Sequence, residues 1–102
     1  MRALHHPPGN SLTLTGVLYA LSDPVRLAIV RRLADDGDKA CGTFGLPVAK
    51  STASHHFKVL RDAGVIQTRP EGTQYINSLR REDLEVRFPG LLDAVLRATE
   101  PI

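Results

Sequence analysis

Lys50-Ser51-Thr52-Ala53-Ser54-His55-His56-Phe57-Lys58-Val59-Leu60-Arg61-Asp62-Ala63-Gly64 is the stretch whose reading decides the fold. Wound as a helix, it gathers Ala53, Phe57 and Leu60 on one side, with Ala63 and His56 at the margins. Ser51, Ser54, His55, Lys58 and Asp62 fall on the other side, and Gly64 suits a left-handed helix end. The narrow apolar stripe describes a helix seated on a core and not immersed in one. Its outer face carries short hydrogen-bonding side chains, then histidine and lysine, with few carboxylates. Such groups read base edges and phosphates. A plain solvated helix is the alternative, and the flanking sequence argues against it.

After Gly64, Val65-Ile66-Gln67-Thr68 and Gln74-Tyr75-Ile76-Asn77-Ser78-Leu79 read as strands around the turn cluster Arg69-Pro70-Glu71-Gly72-Thr73, with Arg69 near the tip. A lone hairpin is marginal in water, so this one must pack on the helices. Before Lys50, the segment Lys39–Pro47 holds two glycines and a proline and reads as a short irregular helix or turn anchored by Phe44 and Leu46. Upstream, Asp23 caps a helix running from about Pro24 to Ala34, with Val25, Ala28, Ile29 and Leu33 as its stripe. Arg26, Arg31 and Arg32 lie off the centre of that stripe, and a solvated face suits the latter two. Asn10 or Ser11 can cap a first helix bearing Leu12, Leu14, Val17, Leu18 and Leu21, weakened by Gly16. Residues 80–87 read as a short helix, and Leu91, Leu92, Val95 and Leu96 mark a strongly apolar last one.

The expectation is one mainly α domain over residues 11–102 with a two-stranded β-hairpin wing, a winged helix-turn-helix, preceded by a flexible tail over residues 1–10. The chain has 102 residues, 42% hydrophobic and only 5% aromatic, so its core is built from aliphatic side chains. Net charge is +2, which permits a polyanionic partner without demanding one. The single cysteine, Cys41, excludes an internal disulfide framework and fits a cytoplasmic protein. The first ten residues lack the apolar core of a signal peptide, and no apolar run approaches the ~20 residues of a membrane span.

At this point three stretches carry a family resemblance. Ala20-Leu21-Ser22-Asp23-Pro24-Val25-Arg26-Leu27-Ala28-Ile29-Val30 resembles the opening motif of the ArsR/SmtB winged helix-turn-helix repressors. Ser51 to Ile66 resembles their recognition helix, and Arg69 to Tyr75 their wing. The resemblance implies a homodimeric repressor that binds a near-palindromic duplex DNA operator and is released by an effector. It implies dimerisation through the first and last helices, which places Leu14, Val17, Leu18, Leu91, Leu92, Val95 and Leu96 at the interface. The family's paired-thiolate sensor does not carry over, because its positions fall at Asp38 and Ala40, and Cys41 is alone and out of register. The last-helix metal site does not carry over either, since residues 82–100 contain no histidine. Neither a metal nor a cofactor is expected, and the effector stays unnamed.

Lys50, Ser51, Thr52, Ser54, His55, His56, Lys58, Arg61 and Arg69 are the candidate DNA contacts. His55 faces outward; for His56 a core position and a phosphate contact are both open. Arg61 suits a backbone phosphate, and Arg69 a phosphate or the minor groove from the wing. Ala49 stands where the family places a capping serine, so either Ser51 caps the helix late or a DNA phosphate does. Cys41 reads as a small buried hydrophobe, with a redox switch as the alternative. No nucleophile, metal cluster or phosphate loop supports an enzyme. A protein-binding winged helix is the remaining alternative, and it would need an apolar or acidic outer face on residues 51–62.

Overall fold

The computed structural model describes residues 4–99. Helix α1 spans Leu14–Ala20, α2 Pro24–Asp36, α3 Lys50–Asp62, α4 Arg81–Arg87 and α5 Leu91–Ala98. Strands β1 (Lys39–Ala40), β2 (Ile66–Glu71) and β3 (Gln74–Leu79) form an antiparallel sheet in the order β1-β3-β2. The winged helix-turn-helix expectation is met, with two changes around the wing.

First, the sheet has three strands. Lys39 and Ala40 pair with Asn77 and Ile76, so the segment before the recognition helix opens as a strand. It continues as a single 3-10 turn, Cys41–Thr43, whose hydroxyl at Thr43 bonds back to the Ala40 carbonyl. Gly42, Gly45 and Pro47 leave too little helix-forming sequence for a regular first helix of the motif. Second, β2 runs on through Arg69 and Pro70 to Glu71, and the reversal is confined to Gly72 and Thr73. Arg69 therefore sits in mid-strand opposite Ile76, and not at the tip.

One core joins these elements. Val17 and Ala20 of α1, Ile29, Val30 and Leu33 of α2, and Phe57 and Leu60 of α3 are buried with Phe44, Val65 and Ile66. Phe44 meets Phe57 edge-on at 5.2 Å, which seats α3 on the turn before it. The expected stripe of α3 is thus its buried face, and His56 joins it. The first helix starts later than expected. Thr13 is its cap, accepting from the Gly16 amide at 3.1 Å, and Ser11 lies in a separate 3-10 turn. A β-carbon at Gly16 would crowd the Thr13 hydroxyl, so this interior glycine makes room for the cap.

The C-terminus of α3 is closed in the manner expected of Gly64. The Val65 amide bonds to the Leu60 carbonyl and the Gly64 amide to that of Arg61, with Gly64 at φ +82°. Leu12 packs directly over Gly64, so the position also excludes a side chain by contact. Leu12 belongs to the stretch leading into α1, and this contact joins it to the end of the recognition helix.

The stretch expected as a flexible tail is docked over its described part. The His6 ring accepts the Thr68 amide of β2 at 2.9 Å, and Gly9–Ser11 turns against Asp83. Residues 1–3 of the expected tail lie outside the described residues, as does residue 100 of the expected last helix. Thr68 shows which amides of β2 point away from β3. Pro70 points the same way and has no amide to offer, so His6 and Pro70 together blunt the open edge of the sheet.

Two expectations follow. Gly64→Ala places a β-carbon at a positive φ and into Leu12, and should destabilise the domain by about 2 kcal/mol or more in denaturant unfolding. The second concerns pH. Burial lowers the pKa of His6, and Arg80, Arg61 and His5 add to the shift. The undocked histidine thus binds a proton more readily than the docked one. Docking is at full strength above the free value of about 6.5 and weakens as pH falls below it, through the lowered docked value. Hydrogen-exchange protection of the Thr68 amide should drop between about pH 7.5 and 5.5, and His6→Ala should abolish that pH dependence.

Candidate nucleic-acid interface

Asp23, the cap of α2, is the base on which the interface is assembled. Its Oδ2 accepts the amides of Val25 and Arg26 at 2.8 and 3.1 Å. Burial raises its pKa, but those two bonds, with His56 and Arg26 nearby, outweigh it and leave the carboxyl below its usual range. Arg26 is 6% exposed, so it is no part of a solvated face. Its guanidinium donates to the carbonyls of Ala20 (2.7 Å) and Tyr19 (3.1 Å) at the end of α1, and to Nδ1 of His56 on α3 (3.1 Å). Arginine has no acceptor atom, so in this contact the guanidinium donates and His56 Nδ1 accepts. Three helices meet at this one side chain.

Of the two positions left open for His56, the structure gives the core one, packed against Arg26. His56 is 9% exposed with its Nδ1 committed, which removes it from the exposed candidate DNA contacts. Lys50, Ser51, Thr52, Ser54, His55 and Lys58 are exposed along the outward side of α3, and Arg61 is half-buried at its flank. Ala49 occupies the N-cap with no side-chain bond, and α3 begins at Lys50. Ser51 therefore does not cap the helix. The amides of Lys50, Ser51 and Thr52 precede the first intrahelical bond, which joins the Ala53 amide to the Ala49 carbonyl. Uncapped amides and the positive end of the helix dipole form a natural phosphate seat.

The cations divide into two pairs. Lys58 bonds to Asp62 at 2.6 Å, and Arg69 bridges Asp38 (3.2 Å) and Glu71 (3.4 Å) while donating to Ser78. Lys50 and Arg61 have no carboxylate partner among the described residues. The Lys58 and Arg69 pairs are exposed, and exposed ion pairs are weak enough for a phosphate to exchange with the carboxylate.

Sequence reading missed the polar link behind the wing. Asn77 is fully buried. Its Oδ1 accepts the Thr68 hydroxyl at 2.7 Å, and its Nδ2 donates to the Lys39 carbonyl (3.2 Å) and to Cys41 Sγ (3.1 Å). The signal was available: Asn77 shares the strand face of Tyr75 and Leu79, where an apolar residue is the rule. Cys41 is partly exposed, and not the fully buried hydrophobe expected. Of the residues expected at a dimer interface, Val17, Leu92 and Leu96 are buried within this chain, while Leu91 and Val95 are half-buried. Leu14 and Leu18 are 47% and 45% exposed, and Tyr19 and Val86 add further exposed apolar surface.

Among the described residues no group of three His, Cys, Asp or Glu side chains could hold a metal ion, and no helix is long and apolar enough to cross a membrane. A helix-turn-helix domain family matches residues 21–69. The uncharacterized HTH-type transcriptional regulator YceK of Bacillus subtilis is 42% identical over 83 residues, 78% of this chain and 82% of that one. The fold is similar to the crystal structure of the ArsR family transcriptional regulator RHA00566, with TM-score 0.66 and 25% identity over 85% of this chain and 91% of that one. It is also similar to the transcriptional repressor BigR from Xylella fastidiosa, with TM-score 0.65 and 27% identity over 84% and 85% of the two chains. The chain belongs to the ArsR/SmtB family of winged helix-turn-helix transcriptional regulators, proteins that bind DNA and are not enzymes.

Proposed function

We propose that the protein is a cytoplasmic, dimeric, sequence-specific repressor that reads a near-palindromic operator and is released by an effector. The observation that carries the reading is the outward side of α3. Its first-turn amides are uncapped, Ser51, Ser54 and His55 are exposed in a row, and Lys50 and Arg61 are without carboxylate partners. Lys50, Arg61 and the helix N-terminus supply phosphate contacts, which are salt-dependent and blind to sequence. Ser51, Ser54 and His55 supply base contacts, each worth about 1–3 kcal/mol of discrimination. Lys58 and Arg69 join on binding by exchanging Asp62, Asp38 and Glu71 for phosphate.

Leu14 and Leu18, one helical turn apart and half-exposed, support pairing through α1, with Leu91 and Val95 of α5 contributing their exposed edges. Two recognition helices must then meet half-sites about 34 Å apart, and any change in their separation costs affinity. That is how an effector would release the operator. The polar, mildly basic outer side of α3 does not suit a protein-binding groove.

Selection of bound duplexes from a random DNA pool tests the reading directly. His55→Ala should change the preferred sequence. Arg61→Ala should weaken binding to all sequences and lower the slope of log affinity against log salt by about 1. Equal, sequence-independent losses from both would overturn the division of roles. Separately, Leu14→Glu with Leu18→Glu should convert the dimer to monomer in sedimentation velocity, since each leucine loses about 1.5–3 kcal/mol of burial. Failure to select any sequence would defeat the reading as a whole.

A further inference from the structure

A groove of about 320 Å³ runs beside α3, between that helix, the turn before it and the wing. Lys50, Ala53, Phe57 and Arg61 line one side of it, and Cys41 and Tyr75 the other. The α3 residues recur at helical spacing, so the groove follows the helix axis. Between Lys50 and Arg61 its lining is mostly apolar, with Leu4 of the N-terminal segment adding to it and Ser54 a polar exception.

The walls are held in place. Phe57 is fixed by Phe44, Cys41 accepts from the buried Asn77, and Tyr75 is paired with Pro70 in the sheet. Neither the Lys50 ammonium nor the Arg61 guanidinium has an ion-pair or hydrogen-bond partner among the described residues. Two unpaired cations framing an apolar trough of this size fit an occupant with an apolar body and an anionic end.

We propose that this groove binds an elongated apolar carboxylate, an arylalkanoate or short fatty acid, and that binding withdraws Lys50 or Arg61 from DNA. The body lies over Ala53 and Phe57, and the carboxylate pairs with the cation at one end. The proposal rests on the DNA-binding reading for its regulatory part only. A ligand that engages a phosphate-contact residue competes with DNA, and linkage makes the two affinities reciprocally dependent.

The probe is 4-phenylbutyrate, with 4-phenylbutanamide as its uncharged isostere, titrated into the 15N-labelled full chain. Saturable shifts should concentrate on the amides of Cys41, Ala53, Phe57 and Tyr75. The amide isostere should bind about tenfold or more weakly, because it lacks the charge-assisted contact. Lys50→Gln or Arg61→Gln should bring the acid down to the affinity of the amide while leaving the amide's own affinity unchanged, an outcome that damage to the fold would not produce. Saturating acid should also lower affinity for an ~30-base-pair duplex at ~50 mM salt by about tenfold or more.

Absence of shifts at millimolar acid, shifts centred on Leu14, Leu18 and Tyr19, or equal affinities for acid and amide would overturn the groove as a carboxylate site. Unchanged DNA affinity at saturation would overturn its regulatory role. If the chain binds no DNA even without the acid, the DNA-binding reading fails, and the shifts decide the groove independently.

Discussion

The guanidinium of Arg26 is the point on which the interface depends. A buried charge is tolerated only when its hydrogen-bonding capacity is met, and leaving one unpaired costs several kcal/mol. Arg26 meets that demand by collecting the last carbonyls of α1 and the ring of His56 on α3, while its own backbone amide is capped by Asp23. The Tyr19 ring lies 5.2 Å from the guanidinium and covers it further. Because its partners belong to α1 and α3 while Arg26 itself sits on α2, the need to satisfy one cation sets the relative placement of the three helices. The recognition helix is oriented by a polar requirement as much as by its greasy face.

The same logic recurs at the wing. Behind the ladder of the wing, the buried Asn77 ties β1, β2, β3 and the turn before α3 into one hydrogen-bonded unit. The open edge is closed by His6 and by the missing amide of Pro70. The segment before the first helix thereby becomes part of the wing's environment, and it lies near Arg61 and Arg80, the two guanidiniums that help depress the basicity of His6.

Charge on the outer surface follows a simple division. Lys58 and Arg69 are paired with carboxylates, which lowers the net positive field at the middle of α3 and on the wing. Lys50 and Arg61 stand without such partners at opposite ends of the helix. Affinity for a polyanion and affinity for a small acid draw on these same two groups.

The order of elements, the capping of α2 by Asp23, the ending of α3 at Gly64 and the split of α3 into seat and outer face were all legible in the sequence. Each is set by local chemistry: a carboxylate ahead of a proline, a glycine at positive φ, a period of 3.6 residues. Tertiary structure alone decided the rest. That Lys39 and Ala40 form a strand depends on β3 lying beside them, and two residues carry no strand signal of their own. His56 and Arg26 are positioned by each other across 30 residues, so neither could be assigned from its own neighbourhood. Which cations remain without partners likewise depends on carboxylates such as Asp38, far from Arg69 in sequence and beside it in space. Backbone periodicity and capping are short-range and can be read along the chain, whereas the satisfaction of buried polar groups and charges is a property of the packed whole.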